Sequence, residues 1–511
     1  MDGQIQLSIF VSNFTAYLKN LFGTNNIRFG QDRLSHKYVS VSDLCRHLDK
    51  WMTESAVNDQ NPDASEADEQ DEKFEYSLRC TIAAFSARWL PIASPEVDHC
   101  AVIQALWRYA RRDMLRIINR PSYRSMLSLF LFALTPIPSG VSEDEEADGI
   151  SGQVCVHAAL QQVQTLRARQ RNLQFNGSKV SPSLETQAMV ATPDSTDTSG
   201  FINAESTAYW AALTFDTSAS LTLNCRPLLS SGLFGFEFEL PWRLVRTCSR
   251  MFSENEQHWR QENAEMTDER ANQIIAAGAS WKLLGWKLTA IFKEAVRDGH
   301  SESEVRRAFV AVVDSIREFN AVYRQPLEEC HKRIQFLGQQ TKLRWCKCSI
   351  IQYLTASKLT RYIVSLMLHY HLSILMLVDV IEVTDRHNLL ADLAAVSDDA
   401  EITVMNTLAF GLHTTMILKR DSDPNSALGS TGSDDSAFTV PLVSVDPYPH
   451  HVVAGVELMR KAIDRDFGVG KIIEETHQSL LSTLELTLNH LPRSSKSVQA
   501  ARAKFSSAHG R

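Results

Sequence analysis

Apolar residues recur along this chain at spacings of three and four, and almost nowhere in the strict alternation of a strand. Ile103, Trp107, Ala110, Met114 and Ile117 share one helical face, which Pro121 closes. Ser122 is placed to cap a second helix, Tyr123–Leu134, with Tyr123, Met126, Leu127, Phe130 and Leu134 in phase. So short a connection predicts an antiparallel pair. Val156, Leu160, Val163 and Leu166 begin another helix, with Arg167, Arg169 and Arg171 placed to suit its negative C-terminal end. Trp281, Leu284, Leu288, Ile291 and Ala295 share a face. So do Val305, Phe309, Val312, Ile316, Phe319 and Tyr323, up to Pro326. Residues 349–383 predict one or two long apolar helices, and Ile402, Met405, Ala409, Leu412 and Met416 another. The last two are Val452–Ile463 and Ile472–Leu491, with leucines at 481, 484, 488 and 491. The expected fold class is all-α, without a fixed repeat.

One stretch departs from amphipathicity. From Thr207 to Leu223 the chain is apolar or small on nearly every side, with a single acid, Asp216. A helix apolar all round is buried on every face. It is expected to end at Asn224-Cys225-Arg226-Pro227, where proline lacks the N–H to continue. Asp216 and Arg226 are then expected at or near the core, each requiring a partner if buried.

Between these helices the composition changes. Residues 1–76 form an N-terminal segment with a helix expected at Leu7–Leu21 and an acidic loop over 54–76. Residues 77–492 read as one helical domain with flexible insertions near 137–151, 176–204 and 421–439. Residues 493–511 carry five Lys or Arg and no acid, and read as a basic, disordered tail.

The 511 residues can bury a large core, and 44% apolar with 22% charged content is ordinary for a globular chain. A net charge of −8 argues against binding nucleic acid through bulk electrostatics. The nine cysteines are scattered, only Cys346 and Cys348 being close, and none forms the Cys-x-x-Cys pairs of a zinc module. With an acidic N-terminus in place of a basic export signal, reduced thiols in an intracellular protein are expected. Tyr362–Val383 is apolar enough to suggest a membrane span, but His369, His371, Asp379 and Glu382 interrupt it, so a buried soluble helix is expected.

Candidate chemistry is sparse. Gly468-Val469-Gly470-Lys471 resembles the end of a phosphate loop, yet Arg465 stands where its first glycine belongs and Ile472 where Ser or Thr should bind magnesium. His369-x-His371 and His450-His451 are the histidine clusters. Positions two apart on a helix face different ways, so 369 and 371 cannot easily grip one metal. Asp144 and Asp148 have the spacing of a magnesium-binding acidic motif but lie in a loop without a second motif. An all-α magnesium-dependent enzyme on diphosphate substrates is the alternative they leave open, and a helical scaffold with no link to DNA is another. Trp281, Trp286, Phe292, His369 and His371 could line a pocket between helices, though core packing accounts for them. No catalytic, cofactor-binding or metal-ligating residue is assigned.

Five fragments, in order, resemble a known family. They are Phe85-Ser-Ala-Arg-Trp89; Ala105-Leu-Trp107 through Arg120-Pro-Ser-Tyr123; and Tyr209-Trp210, Phe215-Asp216 and Cys225-Arg-Pro-Leu228. His371 through Glu382 and Asp446-Pro-Tyr-Pro-His-His451 follow. Together they resemble the middle homology region of the fungal-specific transcription factors with a zinc binuclear cluster, in particular the subgroup of the ethanol-utilisation activator. The resemblance spans roughly 75–490. It implies a nuclear regulator of RNA polymerase II transcription, without enzymatic activity. The implied partners are the transcription machinery or a partner regulator, a small-metabolite effector, DNA only through a missing module or a partner, and a second copy as a homodimer; no membrane is among them. The family's zinc belongs to an N-terminal six-cysteine cluster with no counterpart here, so none of its ligands falls on a position of this sequence. The chain is expected to be either a truncated product or a regulator acting without its own DNA-binding module.

Overall fold

The computed structural model describes residues 41–56, 64–93, 98–170, 199–222, 226–229, 235–261, 266–336, 350–419, 437–446 and 449–509. The helix expected at Leu7–Leu21, most of the 176–204 and 421–439 insertions, and Asn224, Cys225, Cys346 and Cys348 lie outside them. The architecture is all-α. Contacts divide the chain into two compact units where the sequence suggests one domain over 77–492.

The first unit holds α1 (Val41–Ala56), α2 (Ala64–Ala87), the short α3 (Leu90–Ala93), α4 (Cys100–Ile117), α5 (Tyr123–Leu134), α6 (Glu143–Ala147) and α7 (Gly152–Gln170). It also takes α8 (Ser199–Thr222) as far as Asp216. The face predicted for α4 is buried residue for residue, and so is that of α7. Ser122 caps α5 as expected, accepting a hydrogen bond from the Ser125 N–H at 2.9 Å. Asp49 satisfies another free N–H of that first turn, that of Tyr123, at 2.6 Å, and pairs with Arg124 at 2.8 Å. The main neighbours of α5 are α7 and α2 rather than α4, so the expected antiparallel pair is not the organising contact. The Phe85–Trp89 fragment builds a stack, with the buried Arg88 guanidinium 3.8 Å from the Phe85 ring centre and 4.1 Å from that of Trp89.

Several loops expected in this unit are ordered. The acidic stretch is helical from Ala64, with Lys73 bridging to Glu69 one turn back and Glu75 pairing with Arg46 of α1. Residues 137–151 hold α6, capped by Ser142 and clasped by Arg108 and Arg111 of α4. Arg167 does not cap its own helix; it pairs with Glu205 at 3.0 Å and lies over the Tyr209 ring.

The second unit takes α8 from Thr217. It continues with α9 (Leu240–Gln261), α10 (Asp268–Arg297), α11 (Glu302–Val322), α12 (Arg324–Phe336), α13 (Ile350–Val383), α14 (Ala394–His413), α15 (Pro449–Gly468), α16 (Glu474–His490) and α17 (Lys496–His509). One antiparallel ladder, β1 (Thr415–Lys419) with β2 (Ala437–Pro441), places Met416 opposite Val440. Met416 is therefore in a strand, and α14 buries Val404, Met405, Leu408 and Leu412 while Ile402 is exposed. The predicted faces of α10 and α11 are wholly buried. α13 is the hub, packing on α10, α14 and α15. Its Leu366–Val383 segment is long and apolar enough to cross a membrane by length and composition, and 67% of it is buried within the protein.

Helix ends follow local chemistry. Ser301 and Glu304 form a reciprocal capping box at the start of α11. Just before it, Gly299 takes φ +68° and closes α10, with the His300 and Gly299 N–H groups returning to the carbonyls of Ala295 and Val296. Asp385 does the same after α13 at φ 57°, the one non-glycine residue of positive φ among those described.

The expected disordered tail is α17. Val498 and Phe505 are buried, and Arg502 donates to the carbonyls of Leu488 and Leu491 at the end of α16. Residues 493–497 belong to the first unit, where Lys496 meets Glu146 at 2.7 Å.

Candidate functional site

Most of the α8 stretch is buried, with Ala208, Ala212, Leu213, Asp216, Thr217, Ala219 and Leu221 inside, but Ala211 and Thr214 are exposed, so the helix is not buried on every face as its composition suggests. Arg226 is not. Its side chain is 66% exposed and pairs with Glu294 of α10 and with Asp298, the residue that caps that helix. Two carboxylates at the end of α10 give it full partnership at the surface, so nothing draws it inward.

The last turns of α8 meet a buried polar cluster of the second unit. The His451 Nδ1 lies 3.3 Å from the His369 Nε2, and the His451 Nε2 lies 3.3 Å from the Ser218 hydroxyl. Trp286 of α10 donates from its indole nitrogen to the His369 carbonyl at 2.6 Å, and its ring is 5.1 Å from that of His451. Leu221, Ala290 and Leu372 complete an apolar wall around Trp286. Lys282, one helical turn before Trp286, supplies the local cation, and the exposed His450 stacks edge-on to His451.

Burial, reinforced by the charge of Lys282, holds His369 well below the ordinary imidazole value. Burial acts likewise on His451, with His450, His369 and Lys282 adding to it. Burial also lowers Lys282, to about 8, opposed by the charge of Asp446. The row Ser218–His451–His369 is therefore a chain of neutral donors and acceptors. It is satisfied with either polarity: a proton on His369 Nε2 directs one on His451 Nε2 toward Ser218, and the reverse arrangement works equally. A hydroxyl beside an imidazole is the first half of an activated nucleophile, but the third member here is a second imidazole rather than an orienting carboxylate. The arrangement suits a polar group that can accept or donate in an apolar setting.

The five aromatic and histidine candidates separate. Trp286 and His369 meet, whereas Trp281 donates to the Ser315 carbonyl and packs near Tyr323. Phe292 lies against Phe309, and His371 turns to the Met367 carbonyl. As expected, 369 and 371 point different ways. Ser218, Lys282 and the meeting of His369 with His451 were not foreseen. The available signal was Lys282, one of two lysines, with Lys287, set between apolar residues in this part of α10. Asp144 and Asp148 belong to the exposed α6 and its end, where Glu145 and Glu146 are taken up by Arg108 and Lys496. Gly470, at φ +73°, closes α15, and Lys471 pairs with Asp398 and Asp466. No group of three or more His, Cys, Asp or Glu among the described residues is placed to hold a metal ion. The cysteines at 45, 80, 100, 155, 248 and 330 are free thiols.

No family model, curated protein or solved structure matches the chain.

Proposed function

We propose that this chain is the effector-sensing regulatory region of a zinc-cluster-type regulator of RNA polymerase II transcription that acts in the nucleus. The observation that carries the reading is where the last three family-like fragments fall. Tyr209-Trp210 and Phe215-Asp216 belong to α8, His371–Glu382 to α13 and His450-His451 to the start of α15, and the polar row of Ser218, His369 and His451 lies in or beside these same fragments. A small polar metabolite exchanging hydrogen bonds with that row would bias the packing of α8, α13 and α15. Such a switch requires that the metabolite bind two arrangements unequally.

The test fuses the chain to an unrelated DNA-binding module and follows a reporter gene. The expected result is a several-fold change in transcription relative to the module alone, lost on replacing His451 with Leu. No change from the module alone would defeat the reading. So would tight binding of a specific DNA duplex by the purified chain at physiological salt, since its net charge is −8.

A further inference from the structure

α9 turns Trp242, Val245, Ser249, Phe252 and Glu256 inward, and its neighbour is α10. Its outer surface carries two parallel rows. Leu244, Cys248 and Met251, spaced by four and three, make an apolar row with Leu244 43% and Met251 57% exposed. Arg243, Arg246 and Arg250, spaced by three and four, make a basic row beside it, with Thr247 between the two. All three arginines are exposed, and none has an ion-pair partner among the described residues. Several other arginines do reach a carboxylate, among them Arg108, Arg124, Arg226, Arg270, Arg324 and Arg465. No acid occurs between Leu240 and Ser253, in a chain whose net charge is −8. Phe238, in the turn that leads into the helix, adds a ring that is 78% exposed.

We infer that the outer face of α9 is a docking surface for an acidic amphipathic helix of another protein. The partner seats apolar side chains along Leu244, Cys248 and Met251 and aligns carboxylates with Arg243, Arg246 and Arg250. Guanidinium groups grip carboxylates in a two-pronged geometry, and one helix offers acidic and apolar rows at these same spacings. The charges choose among occupants. A second copy of this chain meeting face to face would bring the same acid-free segment and leave the arginines unmatched. A duplex would match the arginines and leave the apolar row without a role. A bilayer needs a larger apolar payload than one leucine, one methionine, a thiol and a neighbouring phenylalanine supply.

The test uses the full chain and a synthetic peptide of about five helical turns with glutamates and leucines in the two matching rows, followed by fluorescence anisotropy. The expected Kd is on the order of tens of micromolar, weakening as salt is added. The variants R243E/R246E/R250E and L244S/M251S are each expected to raise it about tenfold or more, which corresponds to about 1.4 kcal/mol. R243Q/R246Q/R250Q, which leaves no like charge to repel, is expected to fall between. These side chains face solvent, so the melting temperature should not move, and a peptide of the same composition in scrambled order should bind more weakly. Binding unaffected by any of the three variants would overturn the proposal. So would no binding of the ordered peptide up to about fifty times the expected Kd, or capture of phosphatidylserine vesicles or duplex DNA in preference to the peptide.

Discussion

Burial keeps His369 and His451 neutral while Lys282, His450, Ser218 and Trp286 surround them, and that ties stability to pH. In the unfolded chain both imidazoles titrate near the ordinary 6.5; in the folded chain they resist protonation well below it. His371, also buried, is lowered in the same direction. The unfolded state thus binds more protons than the folded state once pH falls below 6.5, so stability is fully present above that pH and declines beneath it. Each histidine contributes a slope of about 1.4 kcal/mol per pH unit while the difference persists. Urea titrations between about pH 5 and 7.5 should show the decline, and His451→Gln should flatten it. Asp216 offers a second measurement. It is 2% exposed inside α8, and truncation to alanine is expected to cost about 3–5 kcal/mol by stranding whatever it bonds. An unchanged melting temperature would show that the acid has no such role. Asp216's burial was legible because its neighbours are apolar on every side. Arg226 was not, because its acids lie at the C-terminal end of α10, about seventy residues away, and no local pattern announces them.

Helical elements were the most legible level. The buried faces of α4, α7, α10 and α11 match the spacing of their apolar residues, and the Ser122 cap is where the sequence puts it. Misreadings arose where polarity stood in for structure. The stretch from Ala64 is acidic yet helical, since Glu75 finds Arg46 and Lys73 braces Glu69. The basic C-terminal segment is helical because Val498, Ala501 and Phe505 fall on one side, a spacing of three and four hidden among serines and lysines. Its removal is therefore a meaningful test. Ending the chain at Pro492 should destabilise it by roughly 3–5 kcal/mol, through lost burial and through the carbonyls of Leu488 and Leu491 that Arg502 now occupies. A disordered tail would come off without effect on urea unfolding.

At the scale of the molecule, the sequence announced the class of architecture but not its partition. The division between the two compact units falls inside α8, between Asp216 and Thr217, where the apolar pattern runs on without a break. A boundary of that kind is created by which distant residues touch, and periodicity reports only near neighbours. The candidate site is hidden for the same reason. His369 and His451 are 82 positions apart, and nothing within either histidine cluster announces the other. The charge of −8 and the exposed arginines of α9 coexist without conflict, because net charge is a sum and a docking face is a local arrangement.

The indole of Trp286 gives the molecule a built-in optical gauge. It is 4% exposed, hydrogen-bonded to the His369 carbonyl and within 5.1 Å of the His451 ring. A protonated imidazole drains the emission of a neighbouring indole far more strongly than a neutral one. The fluorescence lost on replacing Trp286 with Phe, taken as a difference against the rest of the nine tryptophans, therefore isolates light that reports the charge state of the pair. Acidification would dim it, and a metabolite seated at the row would alter it without any dye, label or DNA present.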